Sequence, residues 1–492
     1  MPLRLHNTLT TQQEEVFAAD GQRVRMYACG PTVYDYGHIG NFRTFTHVDI
    51  LRRTLLLNGL RVEHVMNITD VDDKIIRNAT AAGVDIGEYT AKYTQAFLED
   101  LDWLGIQRPE HLVHATDYIG QMVAMIQTLA ERGIAYQTED GSWYFRIAGF
   151  PSYGKLSKKD LAGMTDGARV DLDEYDKDSA RDFALWKAPK PGEHFWETAI
   201  GPGRPGWHIE CSAMARELLG DSFDLHAGGE DLMFPHHENE IAQSESATGK
   251  QFVRHWMHVR FLLVEGRKMS KSEGNFYTLR DLLLRGYKAS AIRFLLTSVP
   301  YRHQFNFTLS GLTESASAVE RLRALHARLT AGDLAPGKNA KLSALTEAAE
   351  AAFMAAMNDD LNTAEARAAI FDLVRQANTA ADADKLQAEN AGEILALLDK
   401  FDAVFDVLND RDDEITRAAL AWASKEGITT SASDEVAAAF ALTDAQIEER
   451  IAARMDAKER RDYKAADAIR DELAAMNIVL EDGKDGVRWK RK

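Results

Sequence analysis

The hydrophobic pattern near the start of the chain predicts a strand, a tight turn and a long helix. Apolar and polar side chains alternate between residues 22 and 29, which is typical of a strand. Gly30 and Pro31 break this alternation, and apolar residues then recur at helical spacing from about Gly40 to Asn58. A strand, a glycine-bearing turn and a helix N-terminus form a cradle for anions, because unpaired N–H groups and the positive end of the helix dipole converge there.

Strand and helix patterns continue to alternate to about residue 110, and this predicts an α/β fold with a parallel sheet. We expect residues 1–110 and 201–264 to form one Rossmann-like domain, interrupted by an insertion at 111–200 with its own hairpin. A further segment spans 265–310. From about residue 310 the pattern is almost entirely helical, and an acid-rich break at 409–413 divides a helical domain at 311–408 from a tail at 409–492.

Composition limits the classes of protein that need to be considered. A chain of 492 residues is too long for one hydrophobic core, so several domains are expected. Because it has no run of eighteen apolar residues and no apolar signal core near the N-terminus, we expect a cytoplasmic protein without a membrane partner. The net charge of −18 argues against a uniformly basic surface, so any contact with nucleic acid requires local positive charge.

A second segment, Lys-Met-Ser-Lys-Ser, follows a predicted strand at 259–264. Its two lysines, Lys268 and Lys271, lie on a glycine-flanked loop that can close over a triphosphate and neutralise the charge on the leaving pyrophosphate. In the first cradle, His38 and Asn41 lie where they can hydrogen-bond phosphate oxygens. Each segment alone also fits a plainer interpretation: a chance string at a helix start, or a solvated charged loop.

A histidine-rich stretch follows near residue 236. Pro235 suits the first position of a helix. In such a helix His236 and Glu240 share a face because they lie four residues apart, whereas His237 and Glu238 point elsewhere.

The chain has only two cysteines, Cys29 and Cys211. Together with His236 and Glu240 they would make a plausible zinc site of two thiolates, an imidazole and a carboxylate. No pair has Cys-x-x-Cys spacing, so other interpretations stay open: inert buried thiols beside a capping histidine and a surface glutamate, or a disulfide in an exported protein.

Taken together, these segments resemble the cysteinyl-tRNA synthetases, a family of class I aminoacyl-tRNA synthetases, over essentially the full chain. The blocks that carry the resemblance are Cys29–Asn41, Asn67–Lys74, Gly206–Met214, His236–Glu240, Lys268–Ser272 and the C-terminal tail. The resemblance implies ATP-dependent activation of L-cysteine to cysteinyl-adenylate and transfer to tRNA(Cys). It also implies that Cys29, Cys211, His236 and Glu240 bind one zinc ion, which takes the thiol of the substrate as a further ligand.

Such a metal has a physical purpose. Serine differs from cysteine by one atom, and a pocket that relies on shape rejects a near-isostere by only about a hundredfold. A soft thiolate binds zinc in a way that an alcohol does not. Selection of the amino acid at the activation step is therefore expected to suffice.

Further site residues are assigned by position within these blocks. We assign the triphosphate to His38, Asn41, Lys268 and Lys271, with a magnesium ion accompanying ATP. The resemblance implies that Gly228, Gly229 and Asp231 approach the ATP ribose and that Thr32, Thr69 and Trp207 line the amino-acid pocket. Many class I enzymes carry histidine where this chain has Asn41, whose amide can donate to phosphate but can never be cationic.

The tail supplies local positive charge. Its basic residues are Lys458, Arg460, Arg461, Lys464 and Arg470 on one predicted helix, with Arg488, Lys490, Arg491 and Lys492 at the end. A basic helix beside an aromatic-bearing tail suits contact with splayed RNA bases, although a solvated charged face fits the pattern equally well. The resemblance implies an anticodon-binding region at 409–492, with contacts from Lys458, Tyr463, Asp467, Asp482, Arg488 and Trp489. It likewise implies a connective domain at 111–200 and a stem-contact region at 265–310.

Two rival hypotheses remain at this stage. One is the cysteine ligase of mycothiol synthesis, a shorter relative that couples activated cysteine to an amino-sugar. The other is a catalytically inactive, zinc-containing RNA-binding paralogue. The helical half and basic tail argue against the first, and the intact His38 and lysines against the second. We expect a monomer whose partners are ATP, L-cysteine and tRNA(Cys).

Overall fold

The computed structural model describes residues 2–158, 182–331, 334–483 and 486–491. Residues 159–181 of the predicted insertion, and Lys492 of the tail, lie outside this part of the chain. The strands are β1 (Arg4–Asn7), β2 (Gln12–Glu15), β3 (Val24–Ala28), β4 (Val62–Ile68), β5 (His111–His114), β6 (Ala135–Gln137), β7 (Trp143–Phe145), β8 (Phe183–Lys187), β9 (Arg204–Pro205), β10 (Phe223–Gly229), β11 (Val253–Val259), β12 (Leu262–Val264), β13 (Arg267–Lys268), β14 (Phe305–Phe307), β15 (Ile478–Gly483) and β16 (Gly486–Arg491).

The helices alternate with these strands in the first half and dominate the second. They are α1 (Ile39–Leu57), α2 (Asp73–Ala82), α3 (Ile86–Trp103), α4 (Ile119–Glu131), α5 (Trp207–Leu219), α6 (Glu238–Thr248), α7 (Leu279–Leu283), α8 (Ala289–Leu296), α9 (Leu309–Ala331), α10 (Ala340–Asn358), α11 (Thr363–Asp382), α12 (Ala388–Phe405), α13 (Asp412–Glu426), α14 (Ser431–Ala439), α15 (Asp444–Glu459) and α16 (Tyr463–Ala475). None of the helices in the described ranges has the length and apolar content needed to cross a membrane.

A five-stranded sheet in the order β11-β10-β3-β4-β5 forms the centre of the N-terminal half, and every neighbouring pair is parallel. Together with the helical second half, this confirms the predicted fold class. The sheet is buried on both faces, because alternate residues of each strand point to opposite sides and a core packs against each side. In β3, for example, Met26 packs in one core with Phe42 of α1, whereas Tyr27 packs in the other with Ile209 of α5.

The observed sheet differs from the prediction at both ends. The predicted insertion begins at residue 111, yet β5 pairs in parallel with β4, with Leu112 opposite Met66. This edge strand is only partly buried, so its sequence lacks the continuous apolar run of an inner strand. At the other end the sheet finishes at Val259 rather than at 264, because β12 joins β13 and β14 in a separate three-stranded sheet.

The insertion contains α4 and an antiparallel sheet of β6, β7, β8 and β9. The predicted hairpin is present, since Ala135 pairs with Phe145 across a turn that includes Gly141. Gly141 has a φ of 94°, a backbone conformation that other residues rarely adopt. Arg204 and Pro205 in β9 lead directly into α5, so the insertion returns the chain to the parallel sheet.

The C-terminal tail forms a small unit with its own core of Ile447, Ile451, Leu473 and Ile478. The single basic helix predicted for Lys458 to Arg470 is wrong, because two helices, α15 and α16, occupy this region. Arg461 adopts a φ of 60°, and the side chain of Asp462 caps the second helix by accepting from the N–H of Ala465. The last two strands pair as an antiparallel hairpin.

Candidate active site and metal centre

The candidate site lies at the carboxyl ends of β3, β4 and β10, where parallel strands place their following loops together. Cys29 follows the last residue of β3, and the chain then passes very close to the end of β4. A Cβ atom at Gly30 would lie only 1.7 Å from the carbonyl oxygen of Asn67. Glycine is therefore required here, and it lets the cysteine-bearing turn approach the neighbouring strand.

Four predicted ligands converge behind this turn. One ligand atom from each of Cys29, Cys211, His236 and Glu240 lies within 4.8 Å of the other three. All four residues are buried. His236 Nε2 lies 3.1 Å from Glu240 Oε1, as expected for residues four apart on one helical turn. Both cysteines are free thiols, so the disulfide interpretation does not hold.

The carboxylate of Glu240 is held by imidazoles on two sides. His236 approaches Oε1, and His226 Nε2 lies 3.1 Å from Oε2. Burial alone would raise the pKa of Glu240, but His226 and His236 hold it at about 2. For His236, burial acts in the opposite direction and would lower the pKa, but Glu240 and Cys211 raise it to about 10.

The two thiols differ in acidity because they lie side by side. Burial, followed by the proximity of Cys211, raises the pKa of Cys29 well above its usual value. The hydrogen bond with Cys29 lowers the pKa of Cys211 to about 6 against the effect of burial, with help from His236. The cluster thus already favours a thiolate, the form that binds a metal.

The sequence prediction that His237 points away from this cluster is wrong. Its Nε2 lies 3.4 Å from Cys29 Sγ, and its Nδ1 lies 2.8 Å from His258 Nε2. The prediction considered only the four-residue spacing, but residues three apart also share a helical face. His237 has helical backbone angles (φ −68°, ψ −32°), and its Nε2 lies 3.9 Å from Glu240 Oε1. Regular helix begins at Glu238 rather than at Pro235, because Phe234 is extended (φ −139°, ψ 129°). Glu238 does point elsewhere, since its carboxylate accepts from backbone N–H groups of the insertion.

Two overlapping sets of four residues could hold a cation. The second set replaces Cys211 and His236 with His226 and His237. The predicted set fits a soft divalent metal better, because it supplies two sulfur ligands with one nitrogen and one oxygen. In that set His236 faces Glu240 through Nε2, while its Nδ1 lies 3.0 Å from His208 Nδ1, the outer contact that commonly orients a metal-binding imidazole.

The first nucleotide segment forms the N-terminus of α1. His38 Nδ1 accepts from the N–H of Asn41 at 3.1 Å, and Asn41 Oδ1 accepts from the N–H of His38 at 3.1 Å. This reciprocal cap commits Nδ1 as an acceptor, so neutral His38 carries its proton on Nε2. Burial lowers the pKa of His38, while nearby Asp231 opposes this shift. The cap also engages the oxygen of Asn41, which leaves only its NH₂ group available to a phosphate.

The lysine loop packs against this segment. The N–H of Ile39 donates to the carbonyl of Tyr277 at 3.0 Å, and the ring of Phe276 packs edge-on against His38. Lys271 Nζ donates to Asp35 Oδ2 at 2.7 Å, which raises the pKa of Lys271. The two segments predicted to bind the triphosphate are therefore adjacent. Lys268 lies on the exposed strand β13 of the same loop.

Gly228 and Gly229 end β10 beside both elements. A Cβ at Gly228 would lie 2.7 Å from the ring of His237, and one at Gly229 would lie 2.3 Å from Asp231 Oδ1. Asp231 is near enough to His38 to influence its pKa. The predicted ribose segment thus lies between the candidate metal centre and the capped helix.

The predicted pocket residues border the metal cluster. Trp207 opens α5 and stacks on the ring of His236 with 4.4 Å between ring centroids. Thr32 and Thr69 pair as a backbone bridge between the β3 and β4 loops. Thr32 lies in the turn that follows Cys29, and Thr69 directly follows β4. Trp207 shares α5 with Cys211.

Comparison with known proteins identifies the family. A model of the class I (C) tRNA synthetase catalytic domain matches residues 15–317, and a DALR domain matches residues 352–409. A cysteine–tRNA ligase of Koribacter versatilis is 57% identical over 495 residues, covering 100% of both chains. Those of Solibacter usitatus and Leptospira interrogans are 54% and 43% identical, also over 100% of this chain and at least 99% of theirs.

The chain belongs to the cysteine–tRNA ligase family.

Solved structures agree with this at the level of the fold. The methionyl-tRNA synthetase of Mycobacterium tuberculosis in complex with methionyl-adenylate aligns with 86% of this chain and 95% of its own, with a TM-score of 0.56 and 14% identity. A putative arginyl-tRNA synthetase of Campylobacter jejuni aligns with 79% of this chain and 92% of its own, with a TM-score of 0.53.

In this member of the family, the residues predicted to contact tRNA lie apart from the catalytic half, in the tail. Lys458 Nζ pairs with Asp482 Oδ2 at 3.1 Å, and Arg454 makes a bidentate pair with the same carboxylate, which lowers the pKa of Asp482. Asp467 pairs with Arg470, and Trp489 donates to Glu448. Tyr463 and Arg488 are exposed. Much of the predicted basic charge is thus locally compensated.

Proposed function

We propose that this chain activates L-cysteine with ATP and transfers the cysteinyl group to tRNA(Cys). The observation that carries the proposal is the convergence of Cys29, Cys211, His236 and Glu240 within 4.8 Å. This cluster is next to two segments suited to a triphosphate. Curated cysteine–tRNA ligases that align with the chain from end to end give the proposal its substrate.

We further propose that the metal is zinc, one ion per chain, held by the two thiolates, His236 Nε2 and a carboxylate oxygen of Glu240. Zinc supplies soft Lewis acidity with affinity for a sulfur ligand but little for an alcohol. His226 and His208 orient Glu240 and His236 from outside the cluster. Trp207 covers His236 and helps to exclude water from it.

Activation needs no general base from the protein. The carboxylate of cysteine is ionised at neutral pH and can attack the α-phosphate of ATP directly, so the protein has to align the reactants and stabilise charge. His38 offers its Nε2 proton to a phosphate oxygen, Asn41 its NH₂ group, and Lys268 and Lys271 their positive charge. Magnesium is expected to accompany ATP. We assign Asp231, which is close enough to His38 to oppose the lowering of its pKa by burial, to accept from the ribose hydroxyls.

Transfer requires tRNA, and we propose that the helical half and the tail contact it. Tyr463 and Arg488 are exposed and available to RNA, whereas Lys458 would exchange its bond with Asp482 for a phosphate. We also propose that the protein acts in the cytoplasm as a monomer. The end-to-end match to tRNA ligases does not favour the mycothiol ligase or an inactive paralogue.

The experiment that tests this proposal has two steps. The first measures cysteine-dependent exchange of pyrophosphate into ATP, which should be rapid. The second offers tRNA(Cys) and a glucosamine-containing acceptor side by side and measures the product. Formation of cysteinyl-tRNA is expected. Exclusive coupling to the amino-sugar, or an absence of exchange with cysteine, would refute the proposal.

A further inference from the structure

A series of three hydrogen bonds, two of them buried and one part-buried, connects the two cysteine-bearing segments. The N–H of Gly30, the residue after the first cysteine, donates to Asn67 Oδ1 at 2.9 Å. Asn67 Nδ2 donates to Thr69 Oγ1 at 3.0 Å, and Thr69 Oγ1 donates to Glu210 Oε2 at 3.1 Å. Glu210 directly precedes the second cysteine. These hydrogen bonds therefore run from Gly30, next to Cys29, to Glu210, next to Cys211.

Within the described ranges, the hydroxyl oxygen of Thr69 keeps one lone pair that could still accept a hydrogen bond. A hydroxyl group has one proton and two lone pairs. Thr69 gives its proton to Glu210 and one lone pair to Asn67. Any ligand group that reaches the oxygen must therefore donate to it. Cysteine carries its donors on its ammonium and its thiol, and the proposed function places the thiol at the metal. The ammonium is the group that remains.

The carboxyl group of Glu210 is buried, and only one of its two oxygens is hydrogen-bonded within the described part of the chain. The side chain is 1% exposed, and Oε1 is the oxygen that has no hydrogen-bond partner there. Burying a carboxyl group that is only half satisfied costs stability. A substrate cation one hydroxyl away would offset this cost whenever cysteine is bound.

We propose that Glu210 is a positioning residue for the amino group of bound cysteine. By accepting the proton of Thr69, it presents the hydroxyl oxygen as an acceptor to the ammonium group. This inference rests on the proposed function and extends it, since it assigns recognition of the amino group to a pair of residues distinct from the metal ligands.

The test uses the full-length protein and two matched pairs of variants. Glu210→Leu and Thr69→Val remove the carboxyl group and the hydroxyl, whereas Glu210→Gln and Thr69→Ser keep a hydrogen-bonding group. Glu217→Leu, at an exposed position of the same helix, is the control. Pyrophosphate exchange gives the KM values for cysteine and ATP, and metal analysis gives the content per chain. Inhibition constants are measured for cysteamine, which lacks the carboxylate, and for 3-mercaptopropionate, which lacks the ammonium.

Glu210→Leu and Thr69→Val should each raise the KM for cysteine and the inhibition constant of cysteamine by about tenfold or more, the loss typical of one charge-assisted hydrogen bond. The inhibition constant of 3-mercaptopropionate, the KM for ATP and the metal content should stay within about twofold, the range of a substitution that touches none of these contacts. The double variant should be no weaker than either single one, because both act on one hydrogen bond. Glu210→Gln and Thr69→Ser should retain most of the affinity.

The inference is overturned if 3-mercaptopropionate weakens as much as cysteamine, or if Thr69→Val leaves the KM for cysteine unchanged. Should Glu210→Leu lose its metal or fail to fold, Thr69→Val decides the question, because Thr69 does not adjoin a cysteine. Wild-type protein that shows no cysteine-dependent exchange would overturn the proposed function and this inference with it. Normal wild-type exchange with unaffected variants would overturn the inference alone.

Discussion

Lys271 Nζ lies 2.7 Å from Asp35 Oδ2, so this ion pair ties the lysine loop to the first nucleotide segment. Both side chains are substantially exposed, and such a pair contributes little to stability. In the proposed function Lys271 binds a phosphate of ATP, and Asp35 would then compete with that phosphate for the same ammonium group.

Removing this competition should strengthen ATP binding. Asp35→Asn is expected to lower the KM for ATP by about two- to fivefold, the range for one exposed ion pair, and to leave the thermal midpoint unchanged. Glu273→Gln is the matched control, because Glu273 pairs with Arg267 in the same loop. Pyrophosphate exchange at varied ATP measures both. A rise in the KM for Asp35→Asn would mean that Asp35 assists Lys271 rather than restraining it.

Asn41 caps α1, and its proposed second role is to donate to a phosphate oxygen. Asn41→Ala removes the acceptor for the N–H of His38 and should lower the free energy of unfolding by about 1 kcal/mol. Asn41→Asp keeps an acceptor and suits the helix N-terminus, so stability should be retained. The new charge and the lost NH₂ group should nevertheless raise the KM for ATP by about tenfold or more.

Denaturation curves and ATP dependence of exchange measure the two effects separately. An Asn41→Asp variant with the KM of the wild type would show that this side chain does not face the phosphates. A stable Asn41→Ala variant would show that the cap is unimportant.

Glu110 provides a pH-dependent contribution to stability. Burial alone would raise its pKa, but the bidentate contact with Arg52 and the N–H of His64 hold it at about 2. Because this value lies below that of an unfolded glutamate, about 4.3, the contribution is full above that pH and is lost as the pH falls towards 2.

Glu110→Gln should therefore lower the free energy of unfolding by about 1 kcal/mol at pH 7, a figure reduced for solvent screening of a partly exposed carboxylate. The difference between variant and wild type should vanish near pH 2. Paired thermal melts at several pH values measure it. A difference that is constant with pH would show that the charge of Glu110 contributes nothing.

Sequence predicted the parts of this molecule that depend on short-range pattern. The alternation in β3 and the apolar spacing of α1 gave both elements to within two residues. Cys29 and Cys211 could be named because the chain has only two cysteines. His236 and Glu240 could be named from their four-residue spacing and from the family resemblance. The convergence of these four residues, however, depends on β3, α5 and α6 packing together, which no local pattern describes.

Other features escaped prediction for physical reasons. His237 faces the cluster because it lies three residues before Glu240, a spacing that shares a helical face and that the prediction did not consider. The buried guanidinium of Arg280, which follows the lysine loop, lies 4.5 Å from the ring centroids of both Trp103 and Trp422. These residues are far apart in sequence, so only tertiary packing brings the C-terminal half against the nucleotide segments.

We propose that a soft metal at Cys29, Cys211, His236 and Glu240 selects cysteine over serine. The most direct test of this proposal measures pyrophosphate exchange with each amino acid before and after chelation, with metal content determined on the same samples. We predict a preference for cysteine far above the roughly hundredfold that shape alone supports, which collapses on chelation and returns with zinc. An enzyme stripped of metal that still prefers cysteine to the same extent would contradict the account.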